Sequence, residues 1–348
     1  MTWKELYAQI KEGAVQSLYL FSGPEEFLKR DALEALRRAL LPAGLEQLND
    51  ATLEGASAQD IIDAAETLPL MCERRIVTVR DWPALMSGRA RNEEEDVSRM
   101  LDWLRDVPTT CTLVFWMRGE PDGRKKLTAA LKKRGAEVRF DPLADADILR
   151  WALSRLKPLG KKISREAASR LTFTAGRDLT RLSGEIDKLA DYVGEREQIE
   201  AEDVDAVVSP SPEYSVFEML DMLFEGDIAR AEESLHTLLM GGQTYVGVLA
   251  LVIRQLRMLS HMALALREGR GTQEVEKALK LHPYAAKRAS RQARTLDADQ
   301  LARLYDQCVE ADFQIKSGKL RDREALHAAM LRIAELRAGG NRARGQSV

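Results

Sequence analysis

Cysteine is scarce in this sequence: three in 348 residues, Cys72, Cys111 and Cys308. The number is odd and no two form a CxxC pair, which argues against a zinc site or a disulfide framework. Reduced, partly buried thiols are expected. The histidines, His236, His261, His282 and His327, lack the spacing of metal ligands, so neither a metal nor another cofactor is expected. Also missing are GxSxG, HExxH and any Cys/His nucleophile pattern, so no catalytic site is expected in this chain. An excess of positive charge is absent: Lys+Arg number 52 against 55 Asp+Glu, a net charge of −3. That excludes nucleic-acid binding through bulk charge alone. No apolar run approaches the ~20 residues of a membrane span. The start, Met1-Thr2-Trp3-Lys4-Glu5, is charged where a signal peptide needs an apolar core. The expectation is a cytosolic (cytoplasmic) protein without a membrane partner.

What is present is ordinary globular composition, 45% apolar and 31% charged. The length suits two or three domains. The first ~140 residues alternate between strand and helix periods, the signature of an α/β domain. Segments 17–22, 75–80, 111–116 and 137–140 read as strands, and 25–41, 58–68, 94–105 and 123–134 as helices. The 111–116 strand is apolar on both faces, as in the centre of a parallel sheet. Composition shifts at Asp141-Pro142, and no convincing strand follows. Helices are expected at 145–156, 164–174 and 177–192. After a break at Ser209-Pro210-Ser211-Pro212 they continue at 213–225, 227–240, 243–267, 282–295, 297–316 and 321–338. The Gly-rich tail, 339–348, is expected to be disordered. The boundaries are thus 1–141 for an α/β domain, 142–210 for a small helical lid and 213–338 for an all-α bundle. An α/β domain followed by a helical lid resembles the AAA+ ATPase module.

Such an ATPase needs a Gly-rich loop ending in Gly-Lys-Ser/Thr after its first strand. Backbone N–H groups wrap the phosphates, Lys meets the terminal ones and the hydroxyl holds magnesium. Here that position reads Phe21-Ser22-Gly23-Pro24-Glu25-Glu26-Phe27-Leu28-Lys29. It has one glycine, Pro24 removes a donor, and Glu25 and Glu26 would repel phosphate. Asp81, after the 75–80 strand, stands alone where a magnesium site wants Asp-Glu, and reads more simply as a turn cap. Glu93-Glu94-Glu95-Asp96 reads as a solvated helix start. The phosphate loop is degenerate.

Residues 58–75 hold the most informative stretch. Ile61, Ala64 or Ala65, and Leu68 recur at helical spacing. Pro69 disfavours helical geometry at the residue before it. Leu70 and Met71 then fall at the break, beside Glu73, Arg74 and Arg75. Two readings are open. The pair folds back onto the sheet like most apolar residues near a strand start, or it is exposed and marks a partner site.

Five segments resemble, in order, the delta-subunit family of the bacterial DNA polymerase III clamp loader. They are 18–28 (LYLFSGPEEFL), 68–81 (LPLMCERRIVTVRD), 251–259 (LVIRQLRML), 282–288 (HPYAAKR) and 313–319 (FQIKSGK). The resemblance covers nearly the whole chain. It implies a degenerate AAA+ domain, a helical lid and a helical collar that joins the loader's other subunits. It implies a role in DNA replication, binding the ring-shaped sliding clamp (the beta subunit) and opening it for loading on primed DNA. The chain would then be an accessory subunit of a DNA-directed DNA polymerase, with no ATP hydrolysis of its own. Matched position by position, the family's clamp contact falls on Leu68, Leu70 and Met71. Phe is common in the family where Met71 stands.

A basic stretch remains. Lys277, Lys280, Lys287, Arg288, Arg291 and Arg294 follow one another without an acid between them. On a helix Lys287, Arg288, Arg291 and Arg294 share roughly one face, with Tyr284 at its start. Such a face could grip a phosphate backbone and stack a base, or pair with an acidic neighbour. Lys316, Lys319 and Arg321 form a weaker cluster. Two other readings compete with a clamp-opening subunit: an active AAA+ ATPase such as a helicase loader, and a DNA-binding regulator built on the helical half.

Overall fold

The described residues of this computed structural model are 1–88, 93–134, 136–279 and 283–344. They divide into units of residues 1–143 and 144–348. In the first, α1 (Trp3–Glu12) leads into β1 (Leu18–Ser22), α2 (Glu26–Leu40), α3 (Glu46–Asn49), β2 (Asp50–Glu54) and α4 (Ala58–Glu66). There follow β3 (Arg75–Arg80), α5 (Glu93–Trp103), β4 (Cys111–Trp116), α6 (Lys126–Lys133) and β5 (Glu137–Arg139). The five strands form one parallel sheet in the order β2-β3-β4-β1-β5. β4 lies at its centre and every one of its residues is buried, as its two apolar faces require. One side of the sheet packs Val77, Val79, Leu113 and Phe115 against Ile61, Trp82 and Leu131 from the covering segments. This is the AAA+-like α/β layout.

The sequence reading omitted α1, α3 and β2. β2 sits at the sheet edge and none of its residues is fully buried. It therefore carries little of the apolar signal that marks an interior strand.

The second unit is almost wholly helical: α7 (Asp145–Leu156), β6 (Lys162–Ile163), α8 (Arg165–Ala175), α9 (Leu179–Val193), β7 (Gln198–Ile199) and α10 (Ala201–Val207). It continues with α11 (Pro212–Glu225), α12 (Ile228–Met240), α13 (Tyr245–Arg267), α14 (Thr272–Leu279), α15 (Pro283–Ala293), α16 (Ala298–Lys316) and α17 (Asp322–Arg344). Ser164 and Asp178 cap α8 and α9 through their side-chain oxygens. The expectation of no strand after residue 142 needs amending: β6 and β7 pair over two residues each, too short for a periodicity to register. The last helix also runs six residues past 338, into the tail expected to lack structure. Residues 345–348 of that tail lie outside the described residues.

α13 corrects a second expectation. Its 23 residues are long and apolar enough, by length and composition, to cross a membrane. Half of its most apolar window is nonetheless buried inside the protein. Val248, Val252, Leu256, Leu259 and Met262 form the spine of the helical core with Val216, Leu220, Leu301 and Ile333. A central bundle helix is buried on most of its girth and so approaches the composition of a membrane span.

Candidate protein-interaction site

α4 builds the approach to the site. Ser57 and Asp60 form a capping box at its start, closing orphan N–H groups of the first turn. Asp96 adds a carboxylate that accepts from the Ala58 N–H at 2.8 Å. Ala58, Ile61, Ile62 and Ala65 are buried. The helix stops at Glu66: Thr67 gives the last helical N–H bond, to the Asp63 carbonyl at 3.1 Å, its hydroxyl donates to the same carbonyl at 2.7 Å, and its backbone turns away at ψ 124°. Pro69 follows and prevents resumption.

Beyond that stop the chain presents three apolar side chains to solvent. Leu68 is 76% exposed, Leu70 52% and Met71 80%. Of the two readings of Leu70 and Met71, the structure has the exposed one. The loop is nevertheless held. Asn49, fully buried at the end of α3, accepts from the Leu70 N–H at 2.6 Å. Its Nδ2 donates to the Leu70 carbonyl at 3.0 Å and to the Leu45 carbonyl at 3.1 Å. Arg75, buried at the start of β3, donates to the Thr67 carbonyl at 3.2 Å. Met71 itself sits at φ +57°, in the left-handed region that non-glycine residues seldom adopt. Leu48, beside Asn49, is exposed as well.

Several polar groups of the loop after β1 are occupied. The Gly23 N–H donates to the Gly119 carbonyl at 2.8 Å and the Glu25 N–H to the Phe140 carbonyl at 3.1 Å. Glu25 accepts from the Phe27 N–H at 3.3 Å and so caps α2 with its own carboxylate. Gly23 is at φ +100°, and a Cβ there would lie 2.4 Å from the Phe140 oxygen, so only glycine fits. Lys29 is fully buried and points back under the loop. Its ammonium donates to the Met117 carbonyl at 2.6 Å, to the Gly23 carbonyl at 2.9 Å and to Glu26. Asp81 caps a turn, accepting from the Arg118 N–H at 2.7 Å.

On α15 and at Arg294 just past its end the basic residues separate. Lys287, Arg291 and Arg294 are exposed. Arg288 is not part of an open face: it bridges Glu218 and Asp221 and lies 4.8 Å from the Phe217 ring centroid. Tyr284 is half-buried, 4.9 Å from the Phe173 ring. Burial pushes the Asp221 carboxyl up to about 6, against the pull of Arg288. Lys280 and His282 lie outside the described residues. The thiols of Cys111 and Cys308 are buried, which pushes them up to about 12 and about 11.

Residues 19–141 match the family model of the DNA polymerase III delta subunit, and residues 213–333 match that of the delta subunit's C-terminal domain. The chain belongs to the DNA polymerase III delta-subunit family. It is 27% identical over 327 residues to DNA polymerase III subunit delta of Bacillus subtilis, covering 92% of this chain and 94% of that one. A solved structure of the Bacillus subtilis DNA clamp loader delta protein superposes with a TM-score of 0.58 at 25% identity, over 96% and 99% of the two chains. Membership makes this delta-family chain an accessory subunit of a replicative DNA polymerase.

The residue missed in this delta-family chain is Asn49. Nothing in its spacing sets it apart from a surface asparagine. Its role comes from a hydrogen-bonded contact across 21 residues of sequence, which no local pattern encodes.

Proposed function

We propose that this chain is the clamp-loader subunit that binds the sliding clamp through Leu68, Leu70 and Met71 and opens it at one interface. The observation that carries the reading is the apolar tip itself, exposed yet pinned by Asn49. A few apolar side chains held in a fixed geometry can anchor in a partner's pocket at roughly 2–4 kcal/mol for each dominant contact. If the tip fits the open clamp interface better than the closed one, binding shifts the clamp toward opening by the difference. Reversing a hundredfold preference for the closed ring takes about 5.5 kcal/mol, within reach of two or three such contacts.

This subunit does the work without ATP chemistry of its own. The loop that would cradle phosphate has its N–H groups bonded to Gly119, Phe140 and Glu25, and its lysine is buried beneath it. A phosphate would meet these occupied donors and two glutamates in its place. The neighbouring loader subunits bind ATP in this reading, and the α11–α17 helices join them in a cytoplasmic complex that acts on primed DNA. Exposed Met240, Phe313 and Leu331 supply apolar contact area on those helices. Lys287, Arg291 and Arg294 stay available to DNA, whereas Arg288 does not. An active AAA+ ATPase is the competing reading, and the occupied loop disfavours it.

The deciding experiment measures binding of the full chain to its own organism's sliding clamp, beside an ATP titration. The expected result is clamp binding that Leu70→Ala/Met71→Ala weakens at least a hundredfold, with no saturable ATP binding. A folded wild-type chain that ignores the clamp overturns the reading.

A further inference from the structure

A cavity of about 1080 Å³ lies within the helical unit, where α8 and the start of α9 face α11 and α13. One wall carries Arg254, Arg257 and His261. They sit at i, i+3 and i+7 on α13, hence on one face of the helix. All three are exposed. Among the described residues no carboxylate pairs with any of them. The row spans roughly 10 Å of helix at 1.5 Å per residue. That is longer than one phosphate and suits a chain of them.

The opposite side is aromatic. Phe173 and Tyr214 line the cavity with ring centroids 5.3 Å apart and planes at 74°. Phe173 also packs on Phe217 and Tyr284, so the wall is braced from behind. Two acids line the cavity, Asp178 and Glu213, and Asp178 is engaged in capping α9 through the Arg181 N–H. Arg181 is spent on the Ser209 and Pro210 carbonyls, at 3.2 and 2.7 Å. Arg177, also on the lining, has a partner of its own, so among the described residues the guanidinium groups left open to the cavity are Arg254 and Arg257, with the His261 ring beside them.

We infer that this cleft binds a segment of single-stranded DNA, with backbone phosphates along Arg254, Arg257 and His261 and a base against the Phe173–Tyr214 wall. A cationic groove beside aromatic side chains is the general means of holding a single strand without reading its sequence. The site is separate from the exposed cations of α15 and from the apolar tip, and it stands whether or not the tip binds a clamp.

The test is fluorescence anisotropy of a labelled oligo-dT with the full chain, over a series of salt concentrations. Wild type should bind with a steep salt dependence. Arg254→Ala/Arg257→Ala should weaken binding at least tenfold and lower the slope of log K against log salt by about 1.4, at ~0.7 per phosphate contact. Tyr214→Ala should weaken oligo-dT several-fold while leaving inorganic polyphosphate unaffected. Lys287→Ala/Arg291→Ala/Arg294→Ala should leave the slope closer to wild type than the α13 pair does. The inference is overturned if wild type fails to bind oligo-dT at low salt, or if the α13 pair binds like wild type. It is equally overturned if Tyr214→Ala weakens polyphosphate as much as DNA, or if the α15 variant carries the whole loss.

Discussion

Asn49 and Leu70 form a two-way hydrogen-bonded pair: the Leu70 N–H donates to the Asn49 Oδ1 at 2.6 Å and the Leu70 carbonyl accepts from Nδ2 at 3.0 Å. The asparagine amide thus stands in for a neighbouring strand, satisfying a stretch of backbone that belongs to no sheet. A buried side chain fixes an exposed one. The Leu70 backbone is immobilised from below while its side chain stays free above.

Replacing Asn49 by Ala should therefore reach the tip without touching its surface. Leaving the Leu70 carbonyl and N–H without their partner costs about 1–3 kcal/mol. Amide exchange at Leu70 should accelerate sharply. Clamp affinity should fall roughly tenfold, because a loosened tip must be ordered on binding. Wild-type affinity with Leu70 still protected would show that Asn49 positions nothing.

Met71→Gly separates stability from recognition. Glycine accepts the left-handed backbone at φ +57°, relieving strain on the order of 1 kcal/mol. It also gives the unfolded chain more freedom, an opposing ~0.5–1 kcal/mol. Denaturant melts should place the variant within about 1 kcal/mol of wild type. Clamp binding should fall by about 2 kcal/mol, on the order of thirtyfold, since the most exposed anchor is gone. Equal binding would remove Met71 from the interface.

Arg288 is predicted to act within the fold. Removing it strands Glu218 and Asp221, both partly buried, and should cost on the order of 3 kcal/mol at neutral pH. The cost should be pH-dependent. Asp221 in the folded chain titrates near 6, above its ordinary value. Its favourable contribution is therefore present at low pH and lost as pH rises through about 4 to 6, where the folded state holds the extra proton. At pH 5 the carboxyl is largely neutral and has less need of the guanidinium. Urea melts of Arg288→Ala and wild type should differ more at pH 7.5 than at pH 5. The same difference at both would show that Asp221 does not titrate in this range.

Much of the fold was legible because its signals are local. The 111–116 run is apolar at every position and is the central strand. The helix expected at 58–68 showed its period and the proline after it, and the structure ends it two residues earlier, at Glu66. The degenerate loop could be read from residue types alone, since Pro24 lacks a donor and Glu25 and Glu26 carry the wrong charge. Leu70 and Met71 could be singled out at the break on residue types alone, whereas the set Leu68, Leu70 and Met71 came from the family resemblance.

Whether those three were buried or exposed was a different kind of question. It depended on Asn49 and Arg75 reaching the backbone around Pro69 from other elements. Likewise, Arg288 belongs by sequence to a row of cations, and only the packing of α15 beside Glu218 and Asp221 took it out of that row. The α13 cations gained a facing aromatic wall only when α8 and α11 were brought opposite them. The sequence by itself determined the longer helices, the interior strands and the degenerate residue set of the loop after β1, because periodicity, chain geometry and charge act over a few residues. The tertiary structure decided which polar groups are spent and which side chains remain open, because hydrogen bonds and burial join residues that the chain order keeps far apart.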